Sequence, residues 1–352
     1  MNVELLRRLT EAHGVPGQED AVRAIVRQEL LGVGDLSTDP MGSLICVKRG
    51  TIPASEPRKK LMLAAHMDEI GFVVRHIDSN GFLKVQPLGG WDPRQMASQR
   101  VFVHSRGGPF NGVLMPAVKP THLLSEAEKG KGLEIESFFV DVGMSGDEAK
   151  ARIRLGDMVT MNRTLQEMGS LLTCKAMDDR VSLYVMIEAL KRATSHGVDV
   201  VAVATVQEEV GLRGASASGW AVKPDIAVAI DITLANDIPG IADEDHITRL
   251  GKGAAIKVMD SSLICNPKLV AHFRDLAEKH GIAYQIEILP RGGTDAGGIQ
   301  RLHGGIPSFT LSIPTRYVHT VNETVHRDDV DACVELLARY IEDAHNGDYS
   351  FD

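Results

Sequence analysis

Apolar and polar positions along the chain fall into three regimes. The opening MNVELLRRLTEAHG places its leucines at a helical spacing, and a second helix is predicted over 21–31 after a Gly-Val-Pro-Gly turn. Glu19 and Asp20 stand just ahead of it, acids that suit a helix N-terminus. A short apolar run at 44–47 and a polar loop at 50–60 lead into 61–65, an unbroken apolar stretch that reads as a buried strand. From 70 to about 164 the helical period fades. Short β-like runs at 71–76, 82–86, 101–104, 113–115 and 157–161 alternate with turn residues, which predicts a small all-β module. The stretch 117–131 reads as a mobile surface loop. Beyond 170, helical patterns (179–194, 211–219, 266–280, 295–302, 327–345) alternate with strand patterns (199–206, 225–230, 254–259, 283–288, 306–312). That alternation predicts an α/β fold, a mainly parallel sheet covered by helices on both faces. The expected division is one discontinuous domain, 1–70 with 165–352, interrupted by a β-rich domain over 71–164.

Composition narrows the classes. The 352 residues are 43% apolar, 24% charged and 5% aromatic, enough chain for two domains or one domain carrying an insertion. Lys plus Arg total 38 against 47 Asp plus Glu, a net charge of −9 that argues against nucleic acid as a partner. No apolar run approaches the roughly 18 residues of a membrane span, and the acid-bearing N-terminus does not read as a signal peptide. Cys46, Cys174, Cys265 and Cys333 are far apart and form no CxxC pair, so neither disulfides nor a thiolate zinc site is expected. The chain reads as cytoplasmic.

In open α/β sheets, ligands bind beyond the carboxyl ends of the strands. The polar residues that follow each apolar run are His66, Asp68 and Glu69; Glu208 and Glu209; Asp231; and His319, with Asp178 and Asp179 heading a helix. Taken singly, each has a plain reading. A histidine after a strand commonly packs, Asp178 or Asp179 could cap its helix, a Glu-Glu pair is usually solvated, and Asp231 could open a turn. Their convergence on one sheet edge points instead to metal. Imidazole and carboxylate suit zinc, cobalt or manganese. Two histidines and three carboxylates fit two ions sharing one bridging carboxylate. There is no GxxxxGK[ST], no HExxH and no GxSxG. The run 291–298 could hold an anion at a helix N-terminus, or be a tight turn capped by Thr294 or Asp295.

At these residues the sequence resembles the TET aminopeptidases, di-metal metallopeptidases that include glutamyl aminopeptidases and proteins once labelled endoglucanases. The resemblance rests on Ala65-His66-Met67-Asp68-Glu69-Ile70-Gly71, Asp178-Asp179-Arg180, and the segment from Gln207 through Glu208, Glu209 and Gly211 to Ala215. Asp231, the Gly-Gly-Thr-Asp-Ala-Gly run from 292, and Arg316-Tyr317-Val318-His319 complete it. It implies that His66 and Asp231 bind one ion and Glu209 and His319 the other, both Zn2+ or Co2+, with Asp178 bridging. Asp68 would hydrogen-bond His66, Glu208 would be the general base acting on a metal-bridging water, and Gly292, Gly293, Thr294 and Asp295 would lie beside the substrate. The implied substrates are short peptides with a free N-terminus. The implied architecture is a metallopeptidase domain with an inserted PDZ-like dimerisation module, and dimers assembled into a dodecamer. Ser182, Thr320 and the stretch 13–18 depart from the family pattern, so the preferred N-terminal residue is left open. Arg213 and Lys257 are basic and could favour an acidic one, or could equally serve in a salt bridge or at the surface. The nearest rival is a di-zinc deacylase or carboxypeptidase of related fold; a metal-free glycosidase and a non-catalytic scaffold are further alternatives.

Overall fold

The computed structural model describes residues 1–53, 57–126, 130 and 132–351, so parts of the loops at 50–60 and 117–131 lie outside the described residues. The chain divides into two compact units, one from 1–68, 164–318 and 322 onward, the other from 69–163 with 319–321.

In the larger unit, Val3–Glu11 buries Leu5, Leu6 and Leu9 and begins at Asn2, whose side-chain oxygen accepts the Leu5 N–H at 3.2 Å. Asp20–Leu30 buries Val22, Val26 and Leu30, a four-residue spacing that defines one helix face. Among the described residues, eleven strands form one sheet. Its centre is four parallel strands, Asp199–Thr205, Lys60–His66, Ile226–Leu234 and Ser308–Arg316. Both faces are covered, which is why these strands read as continuous apolar runs. Leu61, Leu63 and Ala65 join the large core with helices Met177–Arg192 and Arg327–Asp343, while Met62 and Ala64 turn to a smaller cluster containing Ala215 and Ile299.

The flanks are antiparallel. Leu44–Lys48 and Asp35–Thr38 extend one side, and Glu323–His326, Leu171–Cys174 and Gln166–Met168 the other. Ala254–Met259 branches from Ser308–Arg316 and carries Tyr284–Ile288 beside it. The sequence pattern misses four of these flank strands. Asp35–Thr38 and Gln166–Met168 are largely exposed and so carry no apolar signature; Leu171–Cys174 and Glu323–His326 are only four residues long.

The smaller unit is a closed antiparallel barrel in the order Gly71–Ile77, Leu83–Leu88, Phe138–Asp141, Gly108–Pro116, Gln99–Ser105, Met158–Met161. Val101 and Val103 alternate into its core with Leu83, Leu114 and Val140. Trp91 stacks on Phe72 at 4.7 Å and donates its indole N–H to the Gly71 carbonyl at 3.2 Å. Among the described residues here, the helices Pro93–Met96 and Gly146–Arg152 go beyond the all-β expectation. The second is legible in hindsight: Ser145 accepts the Glu148 N–H at 3.3 Å, within a Ser-x-x-Glu pattern that marks helix starts. No helix among the described residues is long and apolar enough to cross a membrane. All four cysteines are buried thiols.

Candidate active site

His66 is the last residue of its strand and pairs in register with Thr205. The register Ala229 with Ala64 carries Asp231 level with His66 on the other side. Asp231 does not open a turn; its strand continues to Leu234, which fixes the carboxylate on a rigid element. Asp178 and Asp179 both have non-helical backbone angles, the peptide between them is cis, and the Asp179 carboxylate accepts the His66 N–H at 3.2 Å. Asp178 Oδ1 lies 3.1 Å from His66 Nε2, and the Asp178 N–H donates to Glu323 Oε2 at 2.9 Å.

The other ring nitrogen of His66 is 3.0 Å from the backbone carbonyl of Asp68, with the Asp68 carboxylate at 3.6 Å. The carbonyl and the carboxylate of Asp68 thus both face the same ring nitrogen, the carbonyl at the shorter distance. The Asp68 carboxylate has another task. It is fully buried and accepts the N–H groups of Glu208 and Glu209, each at 3.0 Å. These two acids lie in a tight loop between Asp199–Thr205 and the helix Arg213–Val222. Gly211 and Leu212 both return their N–H groups to the Glu208 carbonyl. Gly214 is required where the helix meets the strand end, because a Cβ there would stand 2.3 Å from the Val206 carbonyl oxygen. Glu208 thus ends 3.8 Å from His66 Nε2.

His66, Asp178, Asp179 and Asp231 form a buried candidate metal-binding cluster, each offering an atom within 4.8 Å of the others. One imidazole among carboxylates is a donor set for a divalent cation. Electrostatics fits the same occupant. Burial, followed by the charge of Asp231, holds Asp179 well above its ordinary pKa; burial and then Asp178 do the same to Asp231. Burial, aided by Asp231 and Glu209, raises Glu208. Burial alone would lower His66, but Glu208, Asp178 and Asp68 hold it well above its usual value. Carboxylates this crowded call for compensating positive charge.

The remaining candidates separate. Gly292 and Gly293 are exposed. Thr294 occupies the helix N-cap position but makes no cap with its side chain; its hydroxyl meets Asp260 at 3.3 Å and Thr310 at 2.9 Å. Asp295 accepts the Thr205 hydroxyl at 2.5 Å, and burial pushes its pKa up to about 6. Arg213 is exposed, whereas Lys257 is fully buried and ion-paired with Glu287, which withdraws it as a reader of substrate charge. Two residues escape the sequence reading as site residues, Glu323 behind Asp178 and Glu19, and Asp179, read among the converging acids, is assigned to neither ion. The Glu19 carboxyl, raised by burial to about 6, accepts the Gln207 N–H rather than capping its own helix.

The M42 glutamyl aminopeptidase family matches residues 42–336. The lysyl aminopeptidase of Pyrococcus furiosus is 36% identical over 357 residues, covering 99% of this chain and 99% of that protein. An aminopeptidase from the archaeon Desulfurococcus kamchatkensis shares the fold at a TM-score of 0.90 and 40% identity, covering 97% of this chain and 94% of that one. The dodecameric PhTET1-12s structure matches at a TM-score of 0.85 and 30% identity, covering 97% and 99%. The chain therefore belongs to the M42 glutamyl aminopeptidase family and is a TET-type aminopeptidase, a hydrolase of peptide bonds.

Proposed function

We propose that this aminopeptidase uses two divalent ions, zinc or cobalt, to remove the N-terminal residue of short peptides. The observation that carries the reading is the buried cluster of one imidazole and three carboxylates, His66, Asp178, Asp179 and Asp231, at the end of the central strands. His66 and Asp231 would hold one ion, Glu209 and His319 the other. Bound there, such ions supply an acidified water and charge stabilisation for the scissile carbonyl and its developing oxyanion.

The chain's own residues do the rest. Glu208 is the general base. It is largely buried beside His66, and the burial that raises its pKa makes it a ready proton acceptor that can return the proton to the leaving amine. Asp68 fixes the two backbone N–H groups that aim Glu208 and Glu209. Gly292, Gly293, Thr294 and Asp295 flank the substrate, the exposed glycines leaving room for its backbone. Residues 1–70 with 165–352 form the catalytic domain, 71–164 the dimerisation domain, and dimers build a dodecamer like that of PhTET1-12s. Four buried free thiols suit the reducing cytoplasm.

The test is metal stoichiometry. Exhaustive chelation should abolish hydrolysis, and zinc or cobalt should restore it with two equivalents bound per chain. Light scattering of the restored protein should give the mass of a dodecamer. Activity that survives chelation, saturation at one equivalent, or a monomeric mass would contradict the corresponding part of the reading.

A further inference from the structure

Glu19 is 2% exposed and stands at the head of Asp20–Leu30, yet it gives that helix no side-chain cap. Its Oε1 accepts the Gly17 N–H at 2.6 Å and, 188 positions along the chain, the Gln207 N–H at 3.3 Å. Gln207 has φ +57°, the left-handed region that residues with a Cβ avoid. The turn made there sends the next two N–H groups, those of Glu208 and Glu209, to Asp68. Three consecutive N–H groups are thus gripped by two buried carboxylates, and a carboxylate is a stronger acceptor than a neutral oxygen.

The support behind Glu19 is rigid too. Arg180, fully buried and next to Asp179 in the chain, donates to the carbonyl oxygens of Leu9, Ala12 and Gly14 at 2.7, 2.8 and 3.3 Å. The connector that presents Glu19 is therefore tied to the helix that carries two of the acidic ligand candidates.

We infer that Glu19 is a positioning residue for the reaction: it locks the left-handed turn at Gln207 and so sets the direction in which Glu208 points. This rests on the reading of Glu208 as base. Glu19→Ala removes the acceptor, and a misdirected base loses about 10- to 100-fold in kcat with KM little changed. Glu19→Gln keeps a carbonyl oxygen in place and should retain kcat within about threefold, since that oxygen still accepts both N–H groups.

The experiment compares both variants, as full-length metal-replete protein, by steady-state kinetics and by amide hydrogen exchange across 204–212. The expected result is faster exchange confined to this loop and a kcat defect in Glu19→Ala, both rescued in Glu19→Gln. Wild-type kcat in Glu19→Ala would overturn the inference. So would loosened exchange throughout both N-terminal helices with a matching fall in Tm, which is the mark of a fold defect. Failure of the parent reading is separately visible, because Glu208→Gln would then stay active whatever the loop exchange shows.

Discussion

Glu208→Gln is expected to keep its fold and its metals and to lose turnover by about 10²- to 10⁴-fold, the span that a positioned general base contributes. The amide matches the carboxylate in shape, and the backbone of residue 208 stays held, because Asp68 grips its N–H and Gly211 and Leu212 donate to its carbonyl. What the variant loses is the ability to take up a proton at a point 3.8 Å from His66 Nε2. Kinetics on a preparation whose metal content has been measured checks this. Near-normal kcat with two equivalents bound would remove Glu208 from the mechanism while leaving the metal assignment standing.

Lys257→Met is expected to destabilise the folded chain by about 3–5 kcal/mol, the usual cost of stranding one member of a buried ion pair. Lys257 and Glu287 are both fully buried, and each depends on the other for charge balance. The Thr233 hydroxyl donates to Glu287 at 2.6 Å, which brings in the strand that carries Asp231. Asp260, 3.9 Å from Lys257 Nζ, accepts the Ser262 N–H and hydroxyl at 2.7 and 2.8 Å and meets the Thr294 hydroxyl. The lysine thus anchors the ground under the glycine-rich run. The double variant Lys257→Met with Glu287→Leu removes both charges and should recover most of the loss. Denaturant midpoints of the wild type, the single and the double variant decide it; a single variant as stable as wild type would show that the pair is not coupled to folding.

Much of the proposed catalytic centre stands out in the sequence because its residues break a pattern. His66 ends an apolar run whose neighbours are all buried, and Glu208, Glu209 and His319 follow other such runs, so each polar residue stands out at a strand's carboxyl end. Asp231 stood out too, although its strand runs three residues past it. The long central strands were legible for the same reason, and the flank strands were not, being short or exposed. Sequence reasoning failed where function depends on backbone contacts across large separations. Glu19 reads as a helix-start acid, and nothing local reports that its partner is Gln207. Glu323 meets the Asp178 N–H across 145 positions, and Asp179 meets the His66 N–H across 113. For Lys257 the sequence left a substrate-reading role and a salt bridge open, since a lone basic residue in a strand gives no sign of the buried acid opposite it, and the structure holds it in the salt bridge.

The most direct test of the central claim is hydrolysis of paired free and N-acetylated aminoacyl anilides, measured after chelation and again after adding zinc or cobalt. A metal-dependent aminopeptidase cleaves the free-amine series alone, only with metal restored, and the rank order within that series identifies the preferred N-terminal residue. Equal cleavage of the acetylated series, or cleavage that ignores the chelator, would contradict the account and favour a deacylase or a metal-independent hydrolase.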